Sequence, residues 1–169
     1  DIFLASASSS KGLGTYSGLS IIFYDSAFSY SNENTPFSLN LNRFIEREGI
    51  ASTLSSHLLH SISKGLEWIN RYPHYKRIMG LNQIIREYLD DLSISCLLSS
   101  KNSNPSVITI DLPEHISSYD VGEQFFNEGV LINYNSKYLQ ENNWIQICLM
   151  GYIQYRDIIA LLNSLNKIF

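Results

Sequence analysis

The chain has 169 residues, 44% of them hydrophobic and 17% charged, enough for one sizeable core and a stub of a second domain. Its net charge of -4 and pI near 5.5, with twelve scattered Lys and Arg residues, exclude the basic stripe of a nucleic-acid surface. No apolar run approaches the roughly 18 residues of a spanning helix, and the first residues carry neither a basic region nor a cleavable apolar segment, so the expectation is a protein without membrane or secretion signal.

In chain order, the first thirty residues are the most informative. Ser8-Ser9-Ser10-Lys11-Gly12-Leu13-Gly14-Thr15-Tyr16-Ser17-Gly18 sits between two apolar runs, Ile2–Leu4 and Leu19–Tyr24, and reads as a turn between two strands with Lys11 at the end of a buried one. A lysine forms a Schiff base only when its amine is neutral part of the time, which burial and nearby positive charge promote. Glycines after it allow a sharp turn, and hydroxyls before it can hydrogen-bond a phosphate. The alternative is an ordinary surface turn with a solvated lysine. The glycine spacing matches neither a dinucleotide fingerprint nor a P-loop, because Lys11 precedes the glycines.

Ser29-Tyr30-Ser31-Asn32-Glu33-Asn34-Thr35-Pro36 reads as an exposed connection, and Leu41–Arg47 as a short helix ending at Gly49. Leu54, Leu58, Ile62, Leu66 and Ile69 recur at helical intervals, with Ser52 or Thr53 as N-cap, until Tyr72-Pro73 breaks the pattern. A helix from His74 to Leu92 follows, with Ile78, Leu81, Ile85, Tyr88 and Leu92 on one stripe. After the polar loop Ser99–Pro105, Val107–Leu112 reads as a strand. Ser117 reads as an N-cap with Asp120 three residues on, opening a helix to Asn127 that Gly129 ends. Val130–Asn133 and Trp144–Met150 are two more strands, and Gln154–Ile168 is a final helix. This order predicts an α/β (α+β) layer domain with a mainly antiparallel sheet and no internal repeat.

Cys96 and Cys148 fit neither a C-x-x-C pair nor a zinc spacing and read as buried small side chains of a reducing, cytoplasmic protein. His57 and His60, one turn apart, lack a third ligand nearby, so no metal site is expected from them, nor from His74 or His115.

The lysine segment, Ser8 through Tyr24, resembles the cofactor-lysine segment of the class V aminotransferases, nearest the alanine:glyoxylate and 2-aminoethylphosphonate transaminases. Thr35–Leu41, Gly49–Ser56 and Trp144–Gly151 resemble further segments of that family, in its order, so the likeness spans nearly the whole chain. The resemblance implies the C-terminal part of a fold type I transferase. Residues 1–36 would be a two-strand remnant of the large domain carrying the lysine turn, and 37–169 the small C-terminal domain. It implies pyridoxal 5'-phosphate as cofactor, Lys11 as Schiff-base residue and proton carrier, Ser10 as a phosphate contact, and Thr53 as a contact to the cofactor phosphate of a partner subunit. The alternatives from the residues are a strand-end hydroxyl for Ser10 and a helix cap for Thr53.

It further implies an amine or amino acid and a keto acid as substrates, and a homodimer or a partner chain supplying the missing large domain. One departure stands out: the family's final strand carries an arginine for the substrate carboxylate where this chain has Gln146, which can supply neither the charge nor the fork. Trp144, Gln146 and Cys148 share one face of that strand, and Ile145, Ile147 and Leu149 the other. The alternatives are a degenerate, non-catalytic relative serving for binding or dimerisation, and an unrelated α/β binding module.

Overall fold

The computed structural model describes residues 2–28, 34–50 and 52–169. The connection expected through residues 29–33, and Ala51 of the Gly49–Ser56 segment, lie outside the described residues. By contact the chain forms two compact units, Asp1–Ile69 and Asn70–Phe169.

In the first unit, β1 (Leu4–Ser8) and β2 (Ser20–Tyr24) form an antiparallel pair in the register Leu4↔Tyr24 to Ser8↔Ser20, as expected from the two apolar runs. Their burial differs from expectation. Phe3 is 64% exposed and Phe23 51%, and four of the five residues in each strand are exposed. A continuous apolar run ordinarily signals a strand covered on both faces, whereas the described residues of the first unit leave most of this pair exposed.

Helix α1 (Leu41–Glu46) ends where Glu48 and Gly49 take positive φ, with the Gly49 N–H returning to the Phe44 carbonyl at 2.6 Å. Helix α2 (Ser56–Arg71) starts later than expected, so Ser52 and Thr53 precede the helix and neither caps it; its first turn is closed by Leu59 N–H to the Ser55 carbonyl. Pro73 separates it from α3 (His74–Asp91), as the sequence predicts.

In the second unit, β3 (Val107–Asp111) pairs antiparallel with β4 (Trp144–Cys148), with Thr109 opposite Gln146. Alternation buries Ile108, Ile110, Ile145 and Ile147 against Ile78, Ile85 and Leu89 of α3, Phe125 of α4 (Ser118–Asn127), and Ile158, Leu161 and Leu165 of α6 (Tyr155–Ile168). Ser117 Oγ accepts from Asp120 N–H at 3.2 Å, the expected N-cap. Gln154 and Asp157 form a reciprocal capping box at the start of α6.

The second unit departs from expectation in three places. The segment 130–133 is not a strand, because Val130 N–H is taken by the Phe125 carbonyl, which finishes α4, and only Asn133 reaches the sheet, as a single bridge to Gln146. A further helix, α5 (Lys137–Asn142), fills the stretch before β4, capped by Ser136 Oγ accepting from Leu139 N–H. Both cysteines are half-buried free thiols rather than fully buried ones. Among the described residues no helix is long and apolar enough to cross a membrane.

Candidate functional site

The loop between β1 and β2 is a fixed structure. Ser9, fully buried, donates its hydroxyl to the Tyr16 carbonyl at 2.7 Å, and its own carbonyl accepts Thr15 Oγ1 at 2.7 Å and Thr15 N–H at 3.3 Å. Between these anchors Gly14 N–H bonds the Lys11 carbonyl at 2.9 Å, closing a four-residue turn with Gly14 at φ +62°. The lysine therefore stands at the first position of a turn whose base is cross-braced.

Helix α2 supports that turn from one side. Ser61 Oγ accepts Tyr16 N–H at 3.2 Å, and Leu58 lies against Gly18, which has φ +122°. Gly65 comes so close that a Cβ there would stand 2.3 Å from Thr15 Cγ2 and 3.1 Å from the Leu13 carbonyl oxygen. Leu58, Ser61 and Gly65 are spaced three and four apart, on one helix face.

Lys11 itself is exposed and Ser10 half-buried. The burial expected around the lysine is not supplied by the first unit, because the strand that leads to it is itself exposed. Ser8 Oγ and Ser10 Oγ lie 3.1 Å apart, and a Cβ at Gly12 would meet nothing within 4 Å, so hydroxyl residues precede the lysine and an open backbone position follows it. Thr53 is exposed, ahead of α2. The structure thus brings Ser10 and Lys11 together in one turn.

Gln146 lies in the second unit. It is half-buried, on the face of β4 opposite the core, where its Nε2 donates to Thr109 Oγ1 at 3.1 Å. Asn133 exchanges both backbone bonds with Gln146, at 2.8 and 2.9 Å, and gives its Nδ2 to Cys148 Sγ at 3.2 Å. These side chains are uncharged hydrogen-bonding groups.

Sequence reasoning missed Ser9, Thr15, Ser61 and Gly65 as the frame of the turn. Gly65 alone left a signal, since glycine inside a helical pattern is destabilising unless something must approach closely.

No protein family and no curated protein matches the sequence. Solved structures do match. An alanine–glyoxylate aminotransferase from Nostoc sp. aligns with 99% of this chain and 48% of its own, at 19% identity and a TM-score of 0.81. An aspartate aminotransferase from Thermus thermophilus gives 99%, 49%, 19% and 0.81. A ureidoglycine–glyoxylate aminotransferase from Bacillus subtilis gives 99%, 46%, 17% and 0.82.

The chain has the fold of these aminotransferases.

It spans about half the length of the structures it matches. The α/β layer reading is upheld at that level, and the resemblance seen in the lysine segment has a matching architecture behind it. At this identity the likeness is one of fold, and a fold hosts more than one chemistry.

Proposed function

We propose that this chain is the C-terminal part of a pyridoxal-phosphate-dependent, class V aminotransferase-like enzyme, with residues 1–36 completing the large domain and 37–169 forming the small one. The observation that carries the reading is the braced turn, which holds Lys11 at a fixed place with its amine exposed, inside a fold shared with aminotransferases.

The turn fits an aldehyde-bearing phosphate cofactor. Lys11 is exposed, Ser8 and Ser10 offer hydroxyls on the residues that precede it, and Gly12 keeps the following backbone position open. When bound, pyridoxal phosphate supplies an electron sink for a carbanion at the substrate carbon. Lys11 Nζ would hold the cofactor through its aldehyde, and the same amine would move a proton to and from the substrate α-carbon. Ser10 Oγ would contact the phosphate. Thr53, which the late start of α2 leaves unused as a cap, would reach the phosphate of a second subunit in an isologous dimer.

The exposed apolar side chains of β1 and β2 support a missing half that covers them, on the same polypeptide or on a partner chain. Burial of that sheet would also supply the low-dielectric surroundings that a Schiff-base lysine needs. Gln146 lacks a charge, so the substrate's acidic group is held by hydrogen bonds or by a cation elsewhere. An amine or amino acid and a keto acid remain the substrate class, and a cytoplasmic setting accords with two free thiols.

The test is the visible absorbance of the native protein containing this chain, with pyridoxal phosphate added. A band from lysine-bound cofactor that disappears in Lys11→Ala supports the reading. A band that survives in that variant overturns it. A folded dimer without any band points instead to a non-catalytic binding module.

A further inference from the structure

In the second unit a groove of about 890 Å3 lies between α3 and the chain from Ser95 to Pro105. That volume is within the range of small-molecule sites, roughly 300–1,000 Å3. Met79 and Leu98 give it apolar wall, Ser99 and Ser100 hydroxyls, and Arg86 and Lys101 two cationic groups.

Arg86 is half-buried and bonded on three sides, yet only to neutral oxygens. Its Nε donates to Asn82 Oδ1, Nη1 to the Leu98 carbonyl and Nη2 to Ser103 Oγ, each at 2.9 Å. Asn82 is held in turn by the Pro105 carbonyl, also at 2.9 Å. Side chains on a helix lean toward its N-terminus, and Arg86 does so, toward Asn82 and away from Asp90 one turn on. Among the described residues neither Arg86 nor Lys101 forms an ion pair. A guanidinium carries five N–H donors, so two of those on Arg86 are left over. Three of its donors are satisfied, and no carboxylate among the described residues pairs with its charge.

We propose that this groove binds a small organic phosphate, with the phosphate on Arg86, Lys101 and the hydroxyls of Ser99 and Ser100, and the organic body on Met79 and Leu98. A phosphate suits the two cations better than a carboxylate, because it carries up to two charges and three acceptor oxygens and matches the planar arginine fork. Glu87, which accepts Gln83 Nε2 at 2.8 Å, and Asp90 stand on the same wall and restrict the ligand to one strongly anionic group. The site is lined by the second unit alone and does not depend on the reading of Lys11.

The experiment is an NMR titration of the full chain with phenyl phosphate, following the Arg86 Nε–H and the backbone amides of 95–101. Saturable shifts are expected, with a Kd of about 1 mM or tighter. Binding should weaken at least about fivefold in Lys101→Met, and likewise as salt rises from about 50 to 200 mM. Inorganic phosphate and benzoate should each bind more weakly, and Lys11→Ala should bind as the parent does. Lys101 is exposed and its side chain makes no hydrogen bond or ion pair among the described residues, so an unchanged melting temperature serves as its control. Absence of saturation up to about 10 mM, full affinity in Lys101→Met, or benzoate binding as tightly as phenyl phosphate would each overturn the proposal.

Discussion

A Cβ on Gly65 would stand 2.3 Å from Thr15 Cγ2, so the middle of α2 and the braced lysine turn are fitted to one another at the level of a single methyl group. Thr15 cannot rotate away freely, because its Oγ1 is bonded to the Ser9 carbonyl at 2.7 Å. Gly65→Ala should therefore destabilise the protein by about 1–2 kcal/mol, the overpacking cost outweighing the helix-propensity gain of about 1 kcal/mol. Thr15→Ser removes the offending methyl and keeps the hydroxyl, so the double variant should recover most of the loss. Urea unfolding of the four proteins checks the cycle, and additive losses would contradict it.

Ser9 is the buried post of the same turn. Ser9→Ala leaves the Tyr16 carbonyl without its donor and should cost about 1–2 kcal/mol. Hydrogen exchange at Thr15 N–H, which returns to the Ser9 carbonyl, should quicken while exchange in β4 stays unchanged.

Asn143 performs a comparable task in the second unit. At φ +57° it ends α5, and its Nδ2 contacts the carbonyls of Leu112, Pro113 and Ile116 at 3.1, 3.1 and 2.9 Å. Its Oδ1 accepts Ser118 N–H at 2.8 Å. Asn143→Ala should cost about 3 kcal/mol or more, and Asn143→Gly, which accepts the positive φ, about 1 kcal/mol less than that. Equal losses in thermal unfolding would mean that the backbone conformation contributes nothing.

His74 opens α3 in a buried position, and that burial, followed by the Arg77 guanidinium, holds its imidazole below the ordinary value of 6.5. The folded state favours the neutral ring, so this contribution to stability is present above about pH 6.5 and is lost as pH falls through the lowered folded value. His74→Gln should flatten the fall in unfolding midpoint below about pH 6.5. An identical pH profile in the variant would contradict this.

How much of this could be read from the chain follows the range of the interactions. The break at Pro73, the Ser117 cap and the alternation of β4 are local and were legible, as was a lysine turn between two strands. Residues 130–133 carry a strand-like composition, yet pairing there is decided by α4, whose end claims Val130 N–H. Helix α5 buries only Leu139, too little for a periodic signal. The cap expected at Ser52 or Thr53 failed because the helix starts at Ser56, beyond both hydroxyls. The frame of the lysine turn depends on contacts such as Thr15 with Gly65 and Tyr16 with Ser61, fifty and forty-five positions apart, that no short window contains. The strands' apolar runs correctly marked strands but not their burial, because the described residues of the first unit leave most of their side chains exposed.

The most direct test is borohydride reduction of the native protein with pyridoxal phosphate, followed by mass mapping of the labelled peptide. A pyridoxyl group on Lys11 is the predicted result, and it would turn attention to what holds the substrate's acidic group in place of an arginine at position 146. A folded protein that takes no label, or takes it on a different lysine, would contradict the catalytic role of the turn.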